Sequence, residues 1–138
     1  MVQIVVISHG PLAQALAATA FSLVGPQANV VALGLGEDES PETFAARLRA
    51  SMAGGVDDEL LLLCDLRGGT PHRLALALAR QPSTERDCAV VSDTTLGLLC
   101  EALVRRAAAR SLGELAAHLA RVAAEPVQIW MRKDVDTE

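Results

Sequence analysis

The chain has 138 residues, 51% of them hydrophobic, and a formal net charge of −5. That length and apolar content fit one globular domain with a sizeable core and exclude a disordered chain. The acidic balance and the 2% aromatic content argue against a nucleic-acid partner, which needs positive charge for phosphates and rings for stacking bases.

The predicted elements run as follows. Residues 2–7 form a continuous apolar strand with Gln3 as its one polar member, a pattern typical of strands covered on both faces. Pro11 suits the first turn of a helix that carries Leu12, Leu16 and Ala20 at helical spacing and stops at Gly25-Pro26. A second strand covers 29–35. An acidic loop follows, and Ser40 is the expected N-cap of a helix beginning at Pro41 and ending at Gly54-Gly55. Residues 59–65 (ELLLLCD) are a third strand. Residues 66–71 are a glycine-rich turn, followed by a helix to about 81. A fourth strand covers 87–92. Helices are expected over 96–108 and 112–124, the second capped by Ser111, then a short last strand over 127–132 and a polar tail. Strands alternating with helices imply a single α/β domain over 1–138, with a parallel sheet between two helical layers.

No Lys or Arg precedes Arg47, so the N-terminus does not read as a signal peptide. No apolar run nears the roughly 18 residues of a membrane span. Cys64, Cys88 and Cys100 are odd in number and lack zinc spacing. They read as small core residues in a reduced, cytoplasmic protein, with no metal or other cofactor expected.

In open parallel sheets, sites gather beyond the carboxyl ends of the strands. His9, Asp65 and Ser92-Asp93 all fall there. His9 is either a strand-end histidine satisfied locally or a nucleophile whose tautomer is fixed by a carboxylate such as Asp65. In D-L-R-G-G-T-P (65–71), Gly68 and Gly69 permit a tight turn with backbone N–H groups turned inward. Thr70 is the expected helix cap and adds a hydroxyl. The helix N-terminus favours an anion. The stretch matches neither a P-loop nor a dinucleotide fingerprint. A histidine beside an anion cradle suits phosphoryl transfer, which needs chiefly positioning and charge stabilisation. Arg67 is a rim cation or a solvated loop residue. His72 is a second titrating group at the rim or a plain surface residue. His118 reads as structural.

Three features together resemble the mannose-family IIA domain of the bacterial phosphoenolpyruvate-dependent sugar phosphotransferase system. They are a first strand ending in Ser8-His9-Gly10, a helix ending in V-G-P-Q-x-N-V (24–30), and D-x-x-G-G-[ST]-P (65–71). The resemblance spans about residues 1–125. It implies a sheet in order 2-1-3-4 plus a C-terminal antiparallel edge strand exchanged between two subunits, with 127–132 as that strand and Trp130 in dimer packing. It implies phosphorylation of His9 on Nε2 by an HPr-type protein, orientation of the ring by Asp65 through Nδ1, and Thr70 close to the phosphoryl oxygens. The phosphoryl group would pass to a IIB component, with the membrane involved only through the transporter. His72, Arg73, Thr95 and Gly97 depart from the family pattern and bear on partner choice. Two alternatives stay open: a regulatory IIA protein that signals by its phosphorylation state, and a phosphate- or nucleotide-binding module in which His9 is never phosphorylated.

Overall fold

The computed structural model describes residues 1–53 and 59–133. Its elements are β1 (Gln3–His9), α1 (Leu12–Val24), β2 (Val30–Leu35), α2 (Pro41–Ala53), β3 (Glu59–Cys64), α3 (Thr70–Ala79), β4 (Asp87–Val91), α4 (Leu96–Arg105) and α5 (Leu112–Ala123). The four strands are parallel, in the order β2-β1-β3-β4. The expected glycine stop after α2 and the tail at 134–138 lie outside the described residues.

The unbroken apolar runs of β1 and β3 are explained by burial on both faces. Successive side chains of a strand point to opposite sides. Ile4 and Val6, with Leu61 and Leu63, face α1, α4 and α5. Val5 and Ile7, with Leu60 and Leu62, face α2 and α3. The result is three layers with a hydrophobic core on each side of the sheet. Along β1 only His9 is exposed.

Caps follow the sequence at two of the helices. The Ser40 hydroxyl accepts the Thr43 N–H, and the Ser111 hydroxyl accepts the Glu114 N–H. Thr95 caps α4 in the same way, through the Leu98 N–H. Pro11 stands one residue before α1 rather than inside it.

The strand expected over 127–132 is not part of the chain's own sheet. Among the described residues, β4 hydrogen-bonds β3 alone, and residues 127–131 run on without strand pairing after α5. Val127, Ile129, Trp130 and Met131 are all exposed there.

Cys64 is a core residue, whereas Cys88 and Cys100 are only half-buried, because β4 and α4 lie nearer the surface. Burial, and secondarily the neighbouring Asp65 charge, pushes the Cys64 thiol up to about 12. The thiolate is the reactive form. Mass spectrometry after mild alkylation of the native protein is therefore expected to leave Cys64 unmodified. Alkylation after denaturation should label it, and labelling in the native state would show that β3 opens.

Candidate active site

The sheet changes direction of winding between β1 and β3, which opens a crevice beyond their carboxyl ends. His9 is the last residue of β1, and Asp65 directly follows β3. Asp65 is held in register by donating its N–H to the Ile7 carbonyl at 3.1 Å. One carboxylate oxygen then meets His9 twice. Asp65 Oδ2 lies 2.9 Å from His9 Nδ1 and accepts the His9 backbone N–H at 3.0 Å. Its partner Oδ1 is buried and has no hydrogen-bond donor among the described residues, so the carboxylate serves His9 alone. An ionised carboxylate only accepts, so the ring carries its proton on Nδ1 and presents the Nε2 lone pair. The His9 side chain is 46% exposed and that of Asp65 10%, so the ring is accessible while its orienting group is sheltered.

Ser8 points to the other face of β1. It is fully buried, and its hydroxyl accepts the Ala13 N–H at 2.7 Å. This bond ties the start of α1 to the end of β1 and so fixes the backbone at His9. It lies outside the usual N-cap spacing, which is why the sequence did not disclose it.

The glycine turn is built differently from the expectation. The N–H groups of residues 67, 68 and 69 are all engaged. Arg67 N–H donates to Asp93 Oδ1 at 3.2 Å, Gly68 N–H to His72 Nδ1 at 3.0 Å, and Gly69 N–H to the Leu66 carbonyl at 3.1 Å. Gly68 and Gly69 therefore offer no free donor to an anion. Gly68 serves by adopting φ +77°, a left-handed conformation that side chains disfavour. Gly69 serves by leaving room: a Cβ on it would stand 2.7 Å from His9 Cε1 and 3.2 Å from Nε2. Thr70 is the first residue of α3 and Gly69 holds the cap position, with no side chain capping the helix. Among the described residues, the Thr70 N–H and hydroxyl have no hydrogen-bond partner. They remain as donors at a helix N-terminus next to the His9 ring, where the backbone carries partial positive charge.

Arg67 does not reach His9. Its side chain is exposed and its Nε lies 3.3 Å from Asp93 Oδ2. The Ser92 hydroxyl, then the Arg67 N–H and guanidinium charge, hold the Asp93 carboxyl below its ordinary range. Asp93 is thus the tether of the turn from the end of β4, a role its sequence position alone did not reveal. His72 is bonded to the turn rather than being a free surface residue. His118 is structural, its Nε2 lying 2.9 Å from Glu101 Oε2 between α5 and α4. A shallow groove lined by Gly10, Gln14, Leu35 and Glu37 leads to His9 from the β2 side. Among the described residues no cluster of side chains could hold a metal ion, and no helix is long and apolar enough to cross a membrane.

Comparison with known proteins agrees with this fold. Residues 3–120 match the family model EIIA-man, described as the PTS system fructose IIA component. The chain is 28% identical over 138 residues to the sorbose-specific EIIA component of the PTS from Klebsiella pneumoniae, covering 100% of this chain and 98% of that one. The mannose/sorbose-specific IIA subunit from Enterococcus faecalis superposes with a TM-score of 0.77 at 25% identity, over 94% of this chain and 97% of that one. The phosphotransferase system component EIIA from Streptococcus agalactiae superposes with a TM-score of 0.85 at 24% identity, again over 94% and 97%. With a family model covering most of its length and a matching fold, this chain belongs to the EIIA-man family of sugar phosphotransferase-system IIA components.

Proposed function

We propose that the protein is a cytoplasmic phosphohistidine carrier, taking a phosphoryl group from an HPr-type protein on His9 and giving it to a IIB component that phosphorylates an incoming sugar. The observation that carries this reading is the pair of hydrogen bonds from His9 to Asp65 Oδ2, through Nδ1 at 2.9 Å and the backbone N–H at 3.0 Å. It fixes the ring and its tautomer together. The Nε2 lone pair attacks phosphorus, the P–N bond to the donor histidine breaks, and its electron pair returns to the donor ring. No proton need move on His9 during the step. The phosphorylated ring, with Nδ1–H retained, is cationic and lies against the Asp65 carboxylate. Phosphoryl oxygens are met by the Thr70 N–H and hydroxyl and by the α3 dipole. Transfer to IIB is the same step in reverse direction.

The exposed apolar residues of segment 127–131 and the open edge of β4 support a homodimer in which that segment completes the sheet of a second copy. The acidic chain fits a carrier that works through protein partners.

The test is incubation with phosphoenolpyruvate, enzyme I and HPr from the same organism, followed by intact mass and ³¹P–¹⁵N correlation spectroscopy. The expected product carries one acid-labile phosphoryl group coupled to His9 Nε2. No uptake from the cognate HPr, or a phosphoryl group on any other residue, would sink the carrier reading.

A further inference from the structure

We infer that His72 is a positioning residue for phosphoryl transfer, acting as a latch on the turn that forms the wall of the His9 site. The inference rests on the carrier reading for its function, but its structural content is independent of that reading. The turn at 66–69 approaches the His9 ring so closely at Gly69 that no side chain could stand there. Its placement therefore bounds the space that a phosphoryl group on Nε2 finds. The turn is held by one internal bond, by the first rung of α3 (Arg73 N–H to the Gly69 carbonyl at 3.0 Å), and by two side chains from flanking elements, Asp93 after β4 and His72 in the first turn of α3.

The two holds differ in kind. Asp93 is an exposed carboxylate that also meets the Ser92 hydroxyl and the Arg67 guanidinium. His72 makes a single bond, accepting the Gly68 N–H at Nδ1 at 3.0 Å. Acceptance at Nδ1 requires the neutral ring with its proton on Nε2. His72 and His9 are thus held in opposite tautomers on the two sides of one turn: His9 protonated at Nδ1 and nucleophilic at Nε2, His72 protonated at Nε2 and unavailable there as a nucleophile. The latch also takes the Gly68 N–H away from any bound anion, which leaves Thr70 as the donor residue. Gly68, at φ +77°, is the most permissive point of the turn, so it is where a loss of hold has most effect.

Three proteins decide the matter: wild type, His72→Asn and His72→Ala. Asparagine places an amide oxygen close to the position of Nδ1 and can accept the same N–H, whereas alanine cannot. In wild type, the ¹⁵N shifts of His72 should show an unprotonated Nδ1 and a protonated Nε2. The Gly68 amide should exchange slowly in wild type and His72→Asn, and about 5-fold to 10-fold faster in His72→Ala, the worth of one hydrogen bond. With phospho-HPr as donor, His72→Ala should lower kcat by a similar factor, about 5-fold to 10-fold, with KM unchanged, and His72→Asn should restore it. An Nδ1-protonated His72 in wild type overturns the latch even if a variant fails to fold. Equal Gly68 exchange in all three, or a folded His72→Asn that behaves like His72→Ala, overturns it too. If wild type takes no phosphoryl group, the carrier reading fails, and the ¹⁵N and exchange data still judge the latch.

Discussion

Asparagine in place of Asp65 is expected to slow phosphoryl acceptance about 10²–10⁴-fold, and alanine in place of His9 to abolish it. The Asp65→Asn side chain has the same shape and retains one acceptor, so β3 and the crevice should stay as they are. What changes is the proton on the ring. A carboxylate can only accept, which forces the His9 proton onto Nδ1. An amide can turn its NH₂ group toward Nδ1 and so favour the opposite tautomer, with the proton on Nε2, where phosphorus must bond. The variant also loses the negative charge that lies against the cationic phosphorylated ring, so both the attack and its product are disfavoured. Rapid-quench measurement with excess phospho-HPr, read by intact mass, gives the rate. A thermal midpoint close to wild type confirms that chemistry and not folding was lost. A wild-type rate in Asp65→Asn would show that the bond at 2.9 Å has no part in activating His9.

Much of this site was legible because it hangs on local signals. The apolar run of β1, polar only at its end, identifies a strand buried on both faces with His9 at its exit, and the alternation of Ile4 and Val6 against Val5 and Ile7 across two cores is what such a run requires. Asp65 follows β3 for the same reason. The order β2-β1-β3-β4 has no such local signal; periodicity gives the strands, and the order came with the family resemblance. The glycine turn was found but its use was misread. Whether the N–H groups of 67 and 68 face an anion depends on Asp93 and His72, which belong to the neighbouring elements and are brought there only by the fold. The two glycines meet different needs, one a left-handed turn and the other the bulk of the His9 ring. Local sequence shows that glycine is permitted at both and cannot separate the two reasons.

Arg106 was invisible for a related reason. An arginine near the end of an alanine-rich amphipathic helix reads as a solvated residue, yet it is 3% exposed. The guanidinium reaches the residue before β1 and the link before β2. It donates to the carbonyls of Val2, Ala28 and Asn29 and to the Gln27 side chain. The family-like stretch V-G-P-Q-x-N-V thus gains a physical meaning: its last residues present a cluster of acceptors to one buried cation from α4. Arg106→Met keeps the apolar stem and removes every guanidinium donor to the Val2, Ala28 and Asn29 carbonyls and the Gln27 side chain. We expect it to cost about 2–4 kcal/mol of stability, which lowers the thermal midpoint by roughly 10 °C in a domain of this size. Arg106→Lys should recover only part of this, because an ammonium group lacks the planar fork that reaches carbonyls on two sides at once. The cluster lies at the opposite end of β1 from His9. The folded fraction of Arg106→Met should therefore still accept a phosphoryl group at the wild-type rate. Calorimetry and the phosphorylation assay, run on the same preparation, separate the two effects. An unchanged midpoint would mean that water satisfies these carbonyls as well as Arg106 does, and a lost rate in folded protein would mean that this end of the sheet is coupled to the site.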